Sequence, residues 1–459
     1  MSTMLTNSWL SSDIFLILVN LIKPKPMNEF FLQFLWKHRL FNEDPFQTSS
    51  GQPIKVISPG FQNTDAGPDF FNARLKIGET TWAGNVEIHW RSSDWIKHKH
   101  EKDGAYDNVI LHVVKEDDTA IQNSKGEHIE CACLNYDEIL EHNYLKLQKS
   151  TSWIPCADSI HRVPSITLQI WYHALMVERL QQKTAEITER LQQNNNDWNE
   201  TFYQFLARNF GFKTNAVPFE LLAKVLPLSI LGKHKNDLFQ LEALLYGTAG
   251  LLNEELVGDD YFLALRQEFS FLYKKYKLKP IEGHLWKFLR LRPVNFPTVR
   301  IAQFAMLVHQ STALFSHIIE TEKLSDVKKL FQIEASSYWE SHFKFNKLSK
   351  KQAKHLGDSA FFNLVINTLV PFLFVYGEYH KKQPLKDLAL NYLEQIPAET
   401  NSIIANWAGL GIAARSAFDT QALIQLKNNY CNAKKCLNCP VGMKLIHHSN
   451  HEKHEPVDE

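Results

Sequence analysis

The hydrophobic periodicity of the chain changes near Thr167, and this change constrains the fold more than any other feature of the sequence. Before it, polar and apolar residues alternate in short runs such as Asn72–Ile77 and Asn85–Arg91, as in half-buried β-strands. After it, apolar residues recur every three or four positions, and a long amphipathic helix is predicted over Leu168–Leu191. The sequence therefore predicts an α+β protein, with a small N-terminal α/β module built on a mixed sheet and a large all-helical domain after it.

The domain boundaries follow from the same patterns and from the length of 459 residues, which favours two or three domains. Met27 opens the first convincing amphipathic helix, so residues 1–26 are predicted to be a non-native or disordered extension. The apolar run Ile14–Ile22 is too short to span a bilayer, and a short interfacial helix is its alternative. The α/β module is assigned to residues 27–150, the helical domain to 151–430, and a cysteine cluster with a polar tail to 431–459.

Charge is distributed unevenly along the chain although the formal net charge is zero. Residues 27–150 contain 13 Lys and Arg against 19 Asp and Glu, whereas residues 151–459 contain 35 against 30. A nucleic acid partner would therefore be neutralised mainly by the helical domain, and the acidic module could hold a cation.

The cysteine content and one apolar segment bear on the location of the protein. Six cysteines in a chain of this length do not make a disulfide framework, which favours a reducing, cytoplasmic compartment. The segment Ala360–Tyr376 is very apolar, but Asn363, Asn367 and Pro371 interrupt it. It is predicted to be a buried helix and not a membrane span, so no membrane partner is expected.

Three residues on two predicted strands have the side chains of a hydrolytic metal site. Asp69 precedes one strand, and Glu87 and His89 project to the same face of the next strand because side chains alternate along it. Such carboxylates hold Mg²⁺ or Mn²⁺, which polarises a phosphate and lowers the pKa of a bound water. The residue two positions after the glutamate would orient or deprotonate that water. These three are therefore the predicted catalytic residues.

Pro68-Asp69 followed by Glu87-Ile88-His89 resembles the core of the PD-(D/E)xK nuclease superfamily, in which Asp and then Glu-x-Lys lie on adjacent strands. The resemblance implies a restriction-endonuclease-like sheet and the cleavage of phosphodiesters in nucleic acid. Here His89 takes the position of the usual lysine, and a histidine is the better metal ligand. The alternative is that Glu87 and His89 pair with charges of the neighbouring strand on a solvated sheet face.

Other residues near this motif add candidates for metal binding. His112, on the predicted central strand, is the third predicted metal ligand beside the two carboxylates, and Asp65 could assist. His98 and His100 form a His-x-His pair that could instead bind Zn²⁺ together with His112. Exposed loop histidines and one hydrogen-bonded core histidine are the alternative.

Three of the six cysteines lie close together near the C-terminus, where Cys431, Cys436 and Cys439 have the spacing C-x₄-C-x₂-C. Plant-type iron–sulfur ferredoxins space their first three ligands in this way, and zinc would accept the same thiolates. Cys156 is the distant candidate for the fourth ligand, and His447 and the histidine after it are local ones. Some nucleases of the superfamily have an iron–sulfur staple made from one upstream and three downstream cysteines, which these four resemble. An iron–sulfur cluster or zinc with a structural role is therefore expected, and unligated thiols are the alternative.

A group of arginines adjoins a proline-punctuated loop that runs into a predicted helix, namely Arg290, Arg292 and Arg300. Arginines at a helix start could bind phosphate with the help of free backbone N–H groups. The alternative is that they hydrogen-bond carbonyl groups and brace the packing of helices.

Several stretches together resemble an uncharacterised bacterial family, domain of unknown function 2851, over about residues 27–446. They are Gly67–Phe70, Val86–His89, Asp94–Val109, Arg292–Asn295 and the terminal cysteines. The family implies no activity, so the function is predicted from the residues alone. It is a metal-dependent phosphodiesterase that acts on nucleic acid. The alternative is a non-catalytic binding or scaffold protein with a degenerate nuclease-like module and a structural metal-bound cysteine cluster.

Overall fold

The chain folds into two compact units, and it returns to the first unit after completing the second. The computed structural model describes residues 27–253, 257–311 and 313–447. The first unit comprises Met1–Pro164 and Tyr430–Glu459, and the second comprises Ser165–Asn429. The predicted extension over residues 1–26 and the polar tail after residue 447 lie outside the described residues. Whereas the prediction divided the chain after residues 150 and 430, the first unit here continues to Pro164 and includes the cysteine segment.

The described strands and helices are numbered here in chain order. The strands are β1 (Ile54–Ser58), β2 (Phe61–Gln62), β3 (Phe70–Ile77), β4 (Thr80–Arg91), β5 (Val109–Glu116), β6 (Cys131–Cys133), β7 (His342–Lys344) and β8 (Lys347–Leu348). The helices are α1 (Met27–His38), α2 (Asp94–Lys97), α3 (Glu138–Lys149), α4 (Ser165–Gln193), α5 (Trp198–Phe210), α6 (Phe212–Val225), α7 (Leu228–Lys233), α8 (Leu238–Thr248), α9 (Asp260–Tyr276), α10 (Pro297–Gln310), α11 (Leu314–Glu320), α12 (Leu324–Leu330), α13 (Ser337–Glu340), α14 (Asp358–Tyr379), α15 (Gln383–Gln395), α16 (Ser402–Gly409), α17 (Ala417–Gln425) and α18 (Pro440–His447).

The first unit is built on a sheet of six strands in which the order is β1-β3-β4-β5-β6, with β2 paired to β3. β3 pairs antiparallel with β1, β2 and β4, whereas β5 runs parallel to both β4 and β6. The mixed sheet of the predicted α+β fold is therefore confirmed. A parallel pair requires a crossover, because the chain must return to the end of the sheet from which it started. The segment between β4 and β5 makes that return, and it contains the His-x-His pair.

Both faces of this sheet are covered. Val86 and Ile88 on β4 belong to the main core, which also contains apolar residues of α1, α3 and α18. The opposite face is covered by a smaller apolar cluster that includes Trp95 and Tyr106 from the crossover segment. The residues of β4 that alternate with Val86 and Ile88 are consequently enclosed and not exposed to solvent.

The regular structure of the second unit is helical over its described residues, apart from the β7–β8 hairpin. Hydrophobic periodicity in the sequence predicts one helix over residues 298–319 and another over residues 325–340, and each is divided in the structure. The helix predicted over residues 298–319 ends at Gln310, and α11 begins at Leu314. The helix predicted over residues 325–340 is replaced by α12 and α13. Hydrophobic periodicity continues across short breaks of this kind, because both helices bury an apolar face in the same core.

Helix α14 contains a π-helical turn over Val365–Leu369, just before Pro371. Proline has no N–H to donate to the carbonyl of Asn367, four residues earlier. The side chain of Asn209 donates to that carbonyl at 3.1 Å and to the hydroxyl of Thr368 at 2.7 Å. Among the described residues α14 is the one helix with the length and composition to cross a membrane, but 78% of its most apolar window is buried inside the protein.

The burial of Glu242 on α8 can be tested through the pH dependence of the protein's stability. The residue is fully buried, and the Tyr261 hydroxyl donates to its carboxylate. Burial raises the pKa of Glu242 from 4.5 to about 7, against the opposing effect of the hydrogen bond from Tyr261. The folded protein therefore binds this proton more tightly than the unfolded chain, so the free energy of unfolding falls as the pH rises from about 4.5 to about 7.

We expect the substitution Glu242→Gln to remove this loss of stability. Between pH 5 and pH 8 the wild-type protein should lose on the order of 3 kcal/mol relative to the variant, measured by urea unfolding at each pH. Glu320→Gln, at an exposed position on α11, is the matched control and should retain the wild-type slope. Equal pH slopes for wild type and Glu242→Gln would contradict the prediction.

Candidate metal centre

Neighbouring strands place Glu87, His89 and His112 side by side on the face opposite the main core. Glu87 and His89 are separated by one residue on β4 and therefore point the same way. Glu87 lies directly across the parallel pair from His112 on β5. Glu87 is 3% exposed and His89 is 2% exposed. This burial excludes the alternative in which they pair with other charges on a solvated sheet face.

Asp69 joins this group from the beginning of β3. Its backbone N–H donates to Oε2 of Glu87 at 2.9 Å, and its own carboxylate accepts the N–H of Ile88 at 3.1 Å. These two hydrogen bonds hold the Glu87 carboxylate against the backbone of Asp69 and the Asp69 carboxylate against the backbone of β4. Gly67 precedes them with a φ of 102°, a conformation that favours glycine.

The crossover segment brings His98 and His100 to the same face. Trp95 anchors the segment, since it is fully buried and its indole N–H donates to the carbonyl of Gln122 at 3.0 Å. Lys99, between the two histidines, has a φ of 65°, which turns the backbone sharply at that point. The His100 ring stacks on Tyr106 with centroids 3.8 Å apart.

Four ligand atoms meet in this cluster. His89 Nε2 lies 3.1 Å from His98 Nδ1 and 3.4 Å from Glu87 Oε1, and Glu87 Oε1 lies 3.5 Å from His100 Nε2. The ligand atoms of the three histidines all lie within 4.8 Å of one another. In a tetrahedral site with metal–nitrogen distances of about 2.0–2.1 Å, neighbouring ligand atoms are about 3.3 Å apart. The three separations of 3.1–3.5 Å match neighbouring ligands of such a site, and the ligand atoms that all lie within 4.8 Å of one another are those of the three histidines.

His112 lies behind His89, on the side away from these ligand atoms. Its Nε2 is 2.8 Å from Nδ1 of His89. Burial lowers the pKa of His112 to about 3, so its ring is neutral near neutral pH. A neutral ring in this position accepts the Nδ1–H of His89 and leaves Nε2 of His89 to bind a metal, the arrangement that commonly orients a metal-binding histidine.

The structure thus brings together the three predicted catalytic residues, Asp69, Glu87 and His89. It places His112, a predicted metal ligand, where it orients His89. Asp65 is exposed in the turn before β3. Histidines 98 and 100 are the additional ligand candidates, and the His-x-His spacing was the only sequence signal for them.

The cysteine segment forms a second group of potential ligands, within the same unit. Cys436 belongs to the main core, and the half-buried Cys156 packs against that core. Burial, and then the neighbouring thiols of Cys439 and Cys436, raise the pKa of Cys156 to about 12. The backbone N–H groups of Val441 and Gly442, at the start of α18, donate to the sulfur of Cys439 and oppose the rise that burial causes in its pKa. Three of the four predicted thiol ligands therefore lie together.

The spacing of these thiols differs from that of the histidine cluster. Among the described residues, no three cysteine sulfurs all lie within 4.8 Å of one another, as the histidine ligand atoms do. A single zinc ion with zinc–sulfur distances of about 2.3 Å holds its thiolates about 3.8 Å apart. A mononuclear zinc site would therefore require three of the described sulfurs to lie closer together than they do here.

The fold and this cluster define a class: an α+β protein whose mixed sheet presents histidines and carboxylates together on one enclosed face. A family model described as "Protein of unknown function (DUF2851)" matches residues 29–402, and the chain belongs to this family. The predicted resemblance to this family is thereby confirmed over residues 29–402, whereas the terminal cysteines lie beyond the matched residues. The searches of curated proteins and of solved structures found no match.

Proposed function

We propose that the protein is a metal-dependent phosphodiesterase that acts on nucleic acid through the cluster of Asp69, Glu87, His89, His98 and His100. The main support is the set of distances of 3.1–3.5 Å between ligand atoms of the glutamate and the three histidines. Asp69 adds a second carboxylate beside this group, on the adjacent strand. That pair of strands is the feature that resembles the nuclease superfamily.

Of the two predicted metals, Mg²⁺ and Mn²⁺, the ligand types favour Mn²⁺. Mg²⁺ requires oxygen ligands and near-octahedral geometry, whereas imidazole nitrogens suit transition metals. Three histidines and a carboxylate are therefore better matched to Mn²⁺ than to Mg²⁺, and they also suit Zn²⁺. When bound, such a metal polarises a phosphate and lowers the pKa of a coordinated water to near 7.

Lysines around the ligands support a polyanionic substrate. Lys97, Lys99 and Lys102 alternate with the histidines and are exposed. Lys97 pairs with Asp94 at 3.0 Å. Exposed cations beside a metal raise the local concentration of phosphate groups and position a nucleic acid backbone. Asp69, next to Glu87, would accept a proton from the attacking water or hold it in place.

One observation favours the non-catalytic alternative as a second candidate. Glu87 and the three histidines supply four protein ligands, which is the number that closes a structural zinc site, whereas catalytic zinc keeps one position for water. The exposed residue of the four is His98. Catalysis would require His98 to dissociate from the metal, or a metal that binds more than four ligands.

The test is to measure cleavage and metal content on the same preparation. The purified chain is stripped with a chelator, reloaded with Mn²⁺, Zn²⁺ or Mg²⁺, and assayed on single-stranded DNA, duplex DNA and RNA. The proposed enzyme should cleave at least one substrate, with Mn²⁺ more active than Mg²⁺. Tight metal binding with no cleavage of any substrate would favour the scaffold alternative, and no metal binding would exclude both.

A ligand substitution tests the geometry independently of activity. We expect His100→Asn to weaken metal binding on the order of a hundredfold or more, beyond the 10–100-fold loss typical of residues that only orient a ligand. His142→Asn, at an exposed position on α3, is the matched control and should bind as the wild type does. Calorimetric titration of each protein with the metal measures the affinity. Unchanged affinity in His100→Asn would remove His100 from the proposed ligand set.

We further propose that Cys156, Cys431, Cys436 and Cys439 bind an iron–sulfur cluster with a structural role. The C-x₄-C-x₂-C spacing of Cys431, Cys436 and Cys439 supports a cluster, because plant-type ferredoxins space their first three ligands in this way. The N–H groups at the start of α18 would stabilise the Cys439 thiolate. Protein purified without oxygen should show visible absorption and contain iron and sulfide. Zinc in their place would contradict the assignment.

A further inference from the structure

The second unit contains a cavity of about 580 Å³ whose lining is basic. Arg292, Arg300, Lys354 and His355 line it, and none of the described lining residues is an aspartate or a glutamate. Its volume lies within the range of about 300–1,000 Å³ typical of small-ligand sites. All of the lining residues belong to the helical unit, and none of them is a ligand candidate of the metal centre.

Arg300 is the feature of this cavity that requires explanation. The residue is 7% exposed, and its guanidinium donates to Gln303 at 2.8 Å and to Asn295 at 2.6 Å. Both acceptors are neutral amides, and the Nε–H has no acceptor among the described residues. The guanidinium also lies over the ring of Phe212, 4.6 Å from its centroid. Burial lowers the pKa of Arg300 to about 10, so the group remains charged near neutral pH.

A buried charge with no opposite charge is costly, and proteins normally pair it. Of the other basic side chains of the cavity, Arg292 is exposed to solvent, and the remaining two have partners within the protein. Lys354 donates to the carbonyls of Glu340 and Gln352, and His355 pairs with Glu334 at 3.3 Å. Arg300, whose Nε–H has no acceptor among the described residues, and Lys354, whose ammonium donates to neutral carbonyls, are therefore the buried groups of the lining for which an anion would supply the missing charge.

The backbone around the cavity also favours an anion. Gly357 precedes α14 with no side-chain cap, and Ser359, in the first turn of that helix, lines the cavity. Uncapped N–H groups at a helix start attract phosphate oxygens. The Asp358 carboxylate in the same turn pairs with Lys328 at 2.8 Å. The helix start and Arg300 thus both contribute positive potential to this cavity.

The rest of the lining indicates an organic ligand. Apolar residues such as Leu291, Val294 and Val299 line the cavity, and so do the amide residues Gln352 and Asn363. A space of this volume exceeds the need of a bare phosphate ion, and amides can hydrogen-bond both donors and acceptors of a heterocycle. We propose that the cavity binds a small organic phosphate of nucleotide size, with the Arg300 guanidinium as its counter-charge.

Calorimetric titration of the full chain tests the proposal. The probes are AMP, GMP, CMP and glucose 6-phosphate, with adenosine, inorganic phosphate, citrate and a short 5′-phosphorylated single-stranded DNA for comparison. Arg300→Met removes the buried charge. Arg292→Gln is the second variant, because the exposed Arg292 can be replaced without disturbing the core. Arg162→Gln, exposed in the other unit, is the matched control.

We expect at least one organic phosphate to bind the wild type and the control equally. Its affinity should fall about tenfold in Arg292→Gln, the effect of one charge-assisted contact, and be lost in Arg300→Met. Binding that is indifferent to both arginines would overturn the proposal. So would binding of citrate, inorganic phosphate or the single-stranded DNA with none of the small organic phosphates. Cleavage assays on the same variants should remain at wild-type level, which separates this site from the proposed enzyme.

Discussion

Glu87→Gln should abolish metal-dependent cleavage while the protein remains folded. The glutamine oxygen can still accept the backbone N–H of Asp69, which now donates to Oε2 of Glu87 at 2.9 Å. The amide is neutral and a poor metal ligand, so the metal would lose the ligand that lies 3.4–3.5 Å from two of the imidazole nitrogens. We expect initial cleavage rates to fall on the order of a thousandfold, the scale of effect for a group that stabilises transition-state charge.

Glu79→Gln is the matched control for this variant. Glu79 is exposed in the turn between β3 and β4, where it pairs with Lys76 at 3.2 Å. Both variants are purified in the same way, so a contaminating nuclease would appear equally in each. Circular dichroism and thermal unfolding verify the fold, and elemental analysis measures the bound metal. Cleavage by Glu87→Gln within a few-fold of the control would refute the assignment of Glu87 as a metal ligand.

The sequence predicted the parts of the site that depend on local geometry. Alternation along a strand was enough to place Glu87 and His89 on one face, and the structure confirms that they share it. Their burial was not predictable in the same way. The face is enclosed by Trp95 and Tyr106, which come from a crossover segment whose path depends on long-range packing.

The approach of His98 and His100 to Glu87 could likewise not be predicted from local sequence patterns. Their approach to Glu87 depends on the parallel return from β4 to β5 and on the left-handed backbone at Lys99. Neither feature has a strong sequence signal, because lysine rarely adopts a positive φ. His112 shows the reverse case. Its strand was predicted, but its position behind His89 follows from the register between β4 and β5.

The cysteine segment shows how distant parts of the chain complete one unit. The sequence assigned residues 431–459 to a separate terminal segment, whereas the contacts group Tyr430–Glu459 with the N-terminal module. Gln148 on α3 donates to the carbonyl of Lys434 at 2.9 Å, and the Lys434 ammonium donates back to the carbonyl of Gln148 at 2.6 Å. A close approach of Gly442 to the carbonyl of Cys436 leaves no room for a side chain there. The thiols are therefore held where the C-terminal cysteine segment, helix α3 and the segment around Cys156 meet one core.

Cys439→Ser should release the bound metal and destabilise the first unit. Cys439 is buried next to Cys156 and Cys436, and its sulfur accepts N–H groups from the start of α18. Structural metal sites couple binding to folding, with apparent binding free energies on the order of 10 kcal/mol for zinc. Loss of even part of this coupling lowers the melting temperature of the unit by many degrees, because a change of 1 kcal/mol shifts the midpoint by about 2–8 °C.

The matched control is Cys133→Ser, because Cys133 lies half-buried on β6 outside the proposed ligand set. Iron, sulfide and zinc are measured in the wild type and in both variants, and the thermal unfolding of each is followed by circular dichroism. The expected result is that Cys439→Ser loses the metal and melts at a lower temperature, whereas Cys133→Ser retains both properties of the wild type. Since serine differs from cysteine by a single atom, a drop in stability that occurs without any metal in the wild type would have to come from packing alone. A wild-type protein free of iron and zinc after anaerobic purification would therefore contradict the proposed role of the four cysteines, whatever the stability of the variants.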